Sequence, residues 1–213
     1  MIKRVILDID NTLIPWIEEY DKEINKTLDE LNIEYTNEDY NNILEAMSAY
    51  ENEYYTFNKK IMLDYINQYT NKKYPIEFIN NIIDSWANCV PDKIEKETIE
   101  TLKYLNSKYE LVILTDWFGN QQSNRLEKLD ILKYFQKVYS AEKTKRKPFK
   151  EAFIQAIGNN SPEECIMIGD NLERDIKGAL NAGLNAVYYN PNHKEFDVGC
   201  PDIARIEELT EIL

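Results

Sequence analysis

One histidine, three cysteines, six glycines and five arginines leave several kinds of chemistry little to work with in this 213-residue chain. His193 stands alone beside Pro191 and Asn192, which suits a loop histidine rather than a catalytic base. Cys89, Cys165 and Cys200 form no metal-ligand spacing and cannot all pair with one another. They read as buried, inert thiols of a reducing compartment. No apolar stretch approaches the ~20 residues that a transmembrane helix needs. Met1-Ile2-Lys3-Arg4 has the charge of a leader, but Asp8 and Asp10 interrupt the apolar run too early for a secretory signal. Positive charge is also short: 25 Lys and Arg face 38 Asp and Glu, for a net charge of −13. That balance argues against sequence-independent binding to nucleic acid or to anionic membranes. A cytoplasmic protein is expected, with its oligomeric state left open.

What is present fits a globular enzyme-sized fold. Hydrophobic residues make up 43% and charged residues 30% of the chain, which fits a soluble globular protein rather than a disordered one. The length allows one large domain, or a core with a smaller insertion. Fifteen tyrosines, with many Asn and Lys, read first as genomic composition. Four short apolar segments, Val5–Leu7, Leu111–Leu114, Ile166–Ile168 and Ala186–Tyr189, read as strands of a parallel sheet covered on both faces. Val138-Tyr139 is a weaker fifth. Phe149, Ala152, Phe153, Ala156 and Ile157 repeat at helical spacing, with Pro148 suited to the first turn and Gly158 to the stop. Ile176, Ala179 and Leu180 form another stripe, ending at Gly183. Strand–helix alternation of this kind predicts a doubly wound, Rossmann-like α/β core.

Between Trp16 and Pro91 the strand signal disappears, and with it every Gly and Arg. Ile61, Met62, Tyr65, Ile66 and Tyr69 fall on one helical face, as do Ile79, Ile82, Ile83 and Trp86. The expected organisation is an α/β core of residues 1–15 and 92–213 with an all-helical cap, 16–91, inserted after the first core strand. Such an insertion would sit over the C-terminal edge of the sheet, where ligands bind in these folds, so its position suggests a lid.

The strongest chemical signal is Asp8-Ile9-Asp10-Asn11-Thr12, directly after the buried run Val5-Ile6-Leu7. Two carboxylates at the end of a buried strand are costly to desolvate. On an extended chain residues i and i+2 share a face, so Asp8 and Asp10 can point together while Ile9 turns to the core. Such a pair can bind a hard cation, and one member can attack while the other moves a proton. The plain alternative is a turn with Asp and Asn as helix caps. Thr115-Asp116 follows the second strand, where a hydroxyl and free backbone N–H groups can hold phosphate oxygens; capping the next helix is the rival reading. Lys147, beside Pro148, can neutralise a phosphoryl group, although basic clusters such as residues 143–147 are usually solvated. Gly169-Asp170-Asn171, with Asp175 further on, offers a tight strand exit and an oxygen ligand for a cation. Asp175 can orient that loop from behind or serve as an alternative ligand, or simply sit in a first helical turn.

The order of these elements resembles the haloacid dehalogenase-like (HAD) superfamily, in its phosphatase branch with a helical cap after the first strand. Lys147-Pro148 and the run Gly169 to Ala179 carry that likeness most closely. The resemblance implies a phosphoric monoester hydrolase in which Asp8 is the nucleophile, Asp10 the general acid and base, and Thr115 and Lys147 grip the transferring oxygens. It implies Mg²⁺ held by Asp8, by the Asp10 backbone carbonyl and by Asp170, with Asn171 and Asp175 in support and Asp116 near the substrate. The substrate implied is a small phosphorylated metabolite. A nucleoside monophosphate is one candidate, since Tyr50, Tyr54, Tyr55 and Trp16 can stack on a base and Gln121-Gln122 is similar to nucleotidase-like relatives. Core aromatics at helical spacing are the plainer account of those tyrosines. Asp10 favours a phosphatase over a dehalogenase, because halide leaves without a proton. A phosphomutase, or a non-catalytic phosphoryl-ligand module, stays open. Two departures from the family stand out: Asp116-Trp117-Phe118 replaces a smaller turn after Thr115, and the cap lacks the Gly and Arg of sugar-phosphate specificity loops.

Overall fold

A computed structural model describes residues 1–15 and 19–213 of the chain. Trp16, named above as a stacking candidate, lies outside the described residues. The chain divides into two units, Met1–Trp16 with Val90–Leu213, and Ile17–Cys89.

The first unit is built on strands that could only be stable indoors. β1 (Arg4–Leu7) and β4 (Cys165–Gly169) are buried along their whole length, and β2 (Glu110–Leu114) along all but its first residue. Continuous apolar runs of this sort need cover on both faces, which helical crossovers between parallel strands supply. With β3 (Lys137–Tyr139), β5 (Asn185–Tyr189) and β6 (Asp202–Ile203) they form a six-stranded sheet, parallel throughout, in the order β3-β2-β1-β4-β5-β6. The two-residue β6 carries too short a signal to be read from the sequence.

Successive residues of each central strand go to opposite faces. Val5, Leu7, Leu111, Ile113, Ile166 and Ile168 pack with Leu102 and Leu105 of one helix (Lys96–Lys108), with Leu126 of another (Gly119–Lys128), and with Leu209. Ile6, Val112, Leu114 and Met167 pack on the other side with Phe153 and Ala156 of a third (Lys150–Ile157), and with Ile176 and Ala179. Each such aliphatic side chain removed from water contributes ~1.5–3 kcal/mol, so register and layer order follow from this alternation. The helix predicted to open at Pro148 begins at Lys150, with Phe149 as its N-cap. Pro148 therefore precedes the first turn instead of filling it.

Chain order fixes where a ligand can go. From β1 the chain moves outward through β2 and β3, then crosses back to place β4 on β1's other side. Loops leaving β1 and β4 therefore diverge at a switch point, where α/β sheets open a crevice at their carboxyl ends.

In the second unit the described elements are four helices: α1 (Glu19–Glu30), α2 (Asn37–Glu53), α3 (Lys59–Thr70) and α4 (Ile76–Trp86). The expected face of α4 is buried as Ile79, Ile82, Ile83 and Trp86, joined by Phe78. The face predicted for α3 is rotated: Met62, Leu63 and Ile66 are buried while Ile61 and Tyr69 are exposed. Leu63, missing from the predicted stripe, completes the i, i+3 and i+4 pattern better than either. Tyr50 is fully buried among Tyr54, Phe57 and Tyr65, and its hydroxyl donates to the Thr56 carbonyl. It is a core residue and not a base-stacking platform. Among the described residues no helix is long and apolar enough to cross a membrane.

Following chain order through the first unit, its helices Lys96–Lys108, Gly119–Lys128 and Lys150–Ile157 are α5, α6 and α7.

Candidate active site

Asp8 is the first residue past β1, its N–H tied to the Ile168 carbonyl of β4 at 3.0 Å. Ile9 is fully buried, so the alternation of the strand carries one step further and leaves Asp8 and Asp10 on the other side. Asn11 then takes a left-handed φ of 60°, and its N–H reaches the Ile14 carbonyl at 2.7 Å, closing a tight turn. Asn is among the few non-glycine residues that enter this region readily. The hydroxyl of Thr12 reaches back to Asp8 Oδ2 at 3.5 Å.

Lys147 comes from a loop far along the chain. Its ammonium, 2% exposed, sits 2.6 Å from Asp8 Oδ1 and 2.6 Å from Asp175 Oδ1. Its backbone N–H donates to Asp116 Oδ1 at 2.8 Å, and Arg174 approaches the other oxygen of Asp116 at 3.5 Å. Asp116 therefore positions the lysine loop. The α6 N-cap is Phe118, with no side-chain cap, so Thr115 and Asp116 are not helix caps. The basic run that could have been solvated thus contributes one member, Lys147, to the interior.

Behind the strand exit at Gly169, Asp175 lies 1% exposed and accepts the Asn171 N–H at 3.0 Å. A Cβ on Gly169 would meet Asp175 Oδ2 at 2.4 Å, so glycine is needed for close approach here. Asn171 caps the turn Leu172–Lys177 by accepting from the Arg174 N–H. Carboxylate oxygens of Asp8, Asp170 and Asp175 come within 4.8 Å of one another.

This crowding has a cost that shows in acidity. Burial raises the Asp8 carboxyl well above its ordinary range, with Lys147 opposing and Asp175 and Asp10 adding to the rise. Burial also pushes Asp170 up to about 6, helped by repulsion from Asp175. Asp116 is raised by burial in spite of Lys147 and Arg174. Burial alone would lower Lys147, but Asp175, Asp8 and Asp116 together outweigh it and hold the ammonium protonated. Asp8, Asp170 and Asp175 face a single ammonium, an excess of negative charge that a hard divalent cation would relieve. The donors are all carboxylate oxygens, the set that suits Mg²⁺ rather than a soft metal. Among carboxylates the third member of this cluster is Asp175, whereas Asp10 points elsewhere.

Asp10 is engaged by Arg125, which sequence reasoning did not single out, and by Gln122, which it named only as a nucleotidase-like feature of the loop after Thr115 and which lies on α6. Arg125 Nη1 donates to its Oδ1 at 2.5 Å and Gln122 Nε2 to its Oδ2 at 2.7 Å. Gln122 Nε2 also reaches Thr115 Oγ1 at 3.1 Å. The available signal was a Gln-x-x-Arg pair on the helix after the Thr115 loop, three residues apart and hence on one face.

These distances gather Asp8, Asp10, Thr115, Asp116, Lys147, Asp170, Asn171 and Asp175 at one sheet end, and a comparison with known proteins then identifies the chain. The model of the haloacid dehalogenase-like hydrolase family matches residues 5–189. The chain belongs to that family. Among its HAD-family relatives, the pyrimidine 5′-nucleotidase PynA of Streptococcus pneumoniae is 37% identical over 91 residues, 41% of this chain and 38% of that protein. The pyrimidine 5′-nucleotidase YjjG of Escherichia coli is 28% identical over 176 residues, 73% of this chain and 77% of that protein. The match thus spans well under half of one relative's length and about three quarters of the other's. Among solved structures, the 2-haloacid dehalogenase of Pseudomonas syringae pv. Tomato superposes with a TM-score of 0.76 at 22% identity, covering 100% of this chain and 98% of that one. The shared HAD fold therefore does not by itself separate phosphatases from dehalogenases.

Proposed function

We propose that the protein is a magnesium-dependent phosphatase of small phosphomonoesters that works through an aspartyl-phosphate. The observation that carries this reading is the Lys147 ammonium, buried and 2.6 Å from Asp8 Oδ1, in a site where Asp170 and Asp175 also present oxygens. A carboxylate nucleophile and a phosphate are both anions, so their approach requires fixed positive charge at that place.

In this reading an Asp8 oxygen attacks phosphorus in line as the bond to the leaving oxygen breaks. Asp10 gives its proton to that oxygen, then takes one from the water that hydrolyses the aspartyl-phosphate. Lys147 and the Thr115 hydroxyl hold the transferring oxygens, and Asp116 keeps Lys147 in place through its backbone N–H. Asp8, Asp170 and Asp175 are the carboxylates that would hold Mg²⁺, alongside the Asp10 carbonyl that the family resemblance implies. The ion would supply charge neutralisation between nucleophile and phosphate. Asp10 favours alcohol over halide as the leaving group, because an alkoxide needs a proton and a halide does not.

Nucleoside monophosphates are the first substrate class to test, since PynA and YjjG are both named as pyrimidine 5′-nucleotidases. The experiment is phosphate release across a panel of phosphometabolites, with Mg²⁺ and with EDTA. Turnover that is lost with EDTA and in Asp8→Asn is the expected result. Undiminished turnover in Asp8→Asn removes the proposed nucleophile, and isomerisation outpacing hydrolysis of a sugar phosphate would make the protein a mutase.

A further inference from the structure

Arg125 is 0% exposed, and a guanidinium is rarely taken fully out of water without a specific partner. Its Nη1 donates to Asp10 Oδ1 at 2.5 Å and to Gln122 Oε1 at 2.8 Å. Gln122, also 0% exposed, donates through Nε2 to Asp10 Oδ2 at 2.7 Å. These three contacts close a ring in which both oxygens of Asp10 are held by different donors. A fourth contact, Gln122 Nε2 to Thr115 Oγ1 at 3.1 Å, ties the ring to the hydroxyl after β2.

We infer that Arg125 and Gln122 are positioning residues for the proton-transfer carboxyl, fixing the orientation of Asp10 and locking it in register with Thr115. The inference rests on the phosphatase reading above, and adds two residues and a division of labour to it. Neither residue touches the transferring group. Their joint placement follows from α6: positions three apart share a helical face, and Leu126 beside them is packed in the core, so the face cannot rotate away. As Asp10 loses its proton to the departing oxygen, negative charge grows on the two oxygens that Arg125 and Gln122 already face. Donors set in advance toward developing charge lower a barrier without reorganising during the reaction. In the second half of the cycle, the same ring holds the carboxylate ready to accept the proton of water.

A misplaced acid leaves a specific kinetic trace. An alkoxide must be protonated as it leaves, whereas p-nitrophenolate departs as a stable anion. The test measures kcat/KM of the full-length protein with Mg²⁺ on a nucleoside 5′-monophosphate and on p-nitrophenyl phosphate. Variants are Arg125→Met, Arg125→Lys and Gln122→Met, each with its melting midpoint recorded. For Arg125→Met we expect kcat/KM on the alkyl ester to fall ~10²-fold, at the lower end of what general acid catalysis contributes. The fall on the aryl ester should be at least tenfold smaller, and KM should move little for either. Arg125→Lys should recover part of the alkyl activity by restoring a donor toward Asp10. If Arg125→Met fails to fold, Gln122→Met, which strands no charge, carries the same comparison.

Equal losses on both esters, or full alkyl activity in both Met variants, would overturn the positioning role while leaving the phosphatase reading intact. A wild-type protein that releases phosphate from neither ester nor from any member of the phosphometabolite panel would overturn both.

Discussion

Replacing Lys147 with Met tests the charge balance of the site most directly. The ammonium is 2% exposed and lies 2.6 Å from Asp8 and from Asp175. At an effective dielectric of ~20, each contact is worth about 6 kcal/mol before desolvation is subtracted. Taking the ammonium out of water offsets several kcal/mol of this. What the variant cannot recover is the burial of two carboxylates with no cation between them. Removing one partner of a buried ion pair typically costs ~3–5 kcal/mol. For a chain of this size that corresponds to a drop of roughly 6–20 °C in melting midpoint.

The pH dependence has a definite sign. The wild-type ammonium is held above its ordinary value, so its contribution is complete throughout the neutral and acid range and is lost only at high pH. In Lys147→Met the carboxyl of Asp8, already raised by burial, loses the cation that opposed the rise. The folded state then binds more protons than the unfolded one in mildly acid solution, so the variant regains stability as pH falls. Thermal and urea unfolding followed by tryptophan fluorescence in EDTA, at about pH 7.5 and pH 5.5, should show a deficit that narrows at the lower pH. A variant melting within ~2 °C of wild type at pH 7.5, or a deficit that widens as pH falls, would refute the reasoning.

Other expectations follow from single contacts. Mg²⁺ should raise the melting midpoint at pH 7.5 and do so less below pH 6, where a proton competes for Asp170, whose carboxyl is pushed up to about 6; an equal rise at both pH values would count against Asp170 as a ligand. In Gly169→Ala the new Cβ meets Asp175 Oδ2 at 2.4 Å, and overpacking should cost ~1–3 kcal/mol together with most of the activity, read by unfolding and turnover. Gly158→Ala combines a φ of +65° with a Cβ 2.4 Å from Arg4 Nη1. Since Arg4 is tied to Glu110 and to the Ala156 carbonyl, this variant should lose ~1–3 kcal/mol of stability while keeping kcat and KM. Asn58→Ala removes the N-cap acceptor for the N–H groups of Lys60 and Ile61, which should cost about 1 kcal/mol in urea unfolding of the helical unit.

The sequence by itself determined the parallel sheet and the list of candidate groups. Buried strands such as Val5–Leu7 and Ile166–Ile168 are apolar at every position, a pattern that admits few alternatives to a sheet covered on both sides. Acids at Asp8, Asp10 and Asp170 are legible because each follows such a strand, where desolvated charge needs a purpose. Partnership was not legible. Nothing in local spacing tells that Lys147 bridges Asp8 and Asp175, or that Asp116 serves the Lys147 backbone. Arg125 drew no functional reading and Gln122 only a likeness to nucleotidases, because they lie 115 and 112 residues away from the carboxylate they hold. The rotation of α3 toward Leu63 was likewise decided by its neighbours, because a helix with apolar residues on adjacent stripes can bury either one. Propensity and periodicity act over a few residues, whereas charge compensation in a dry interior is settled by whatever the fold brings within about 3 Å.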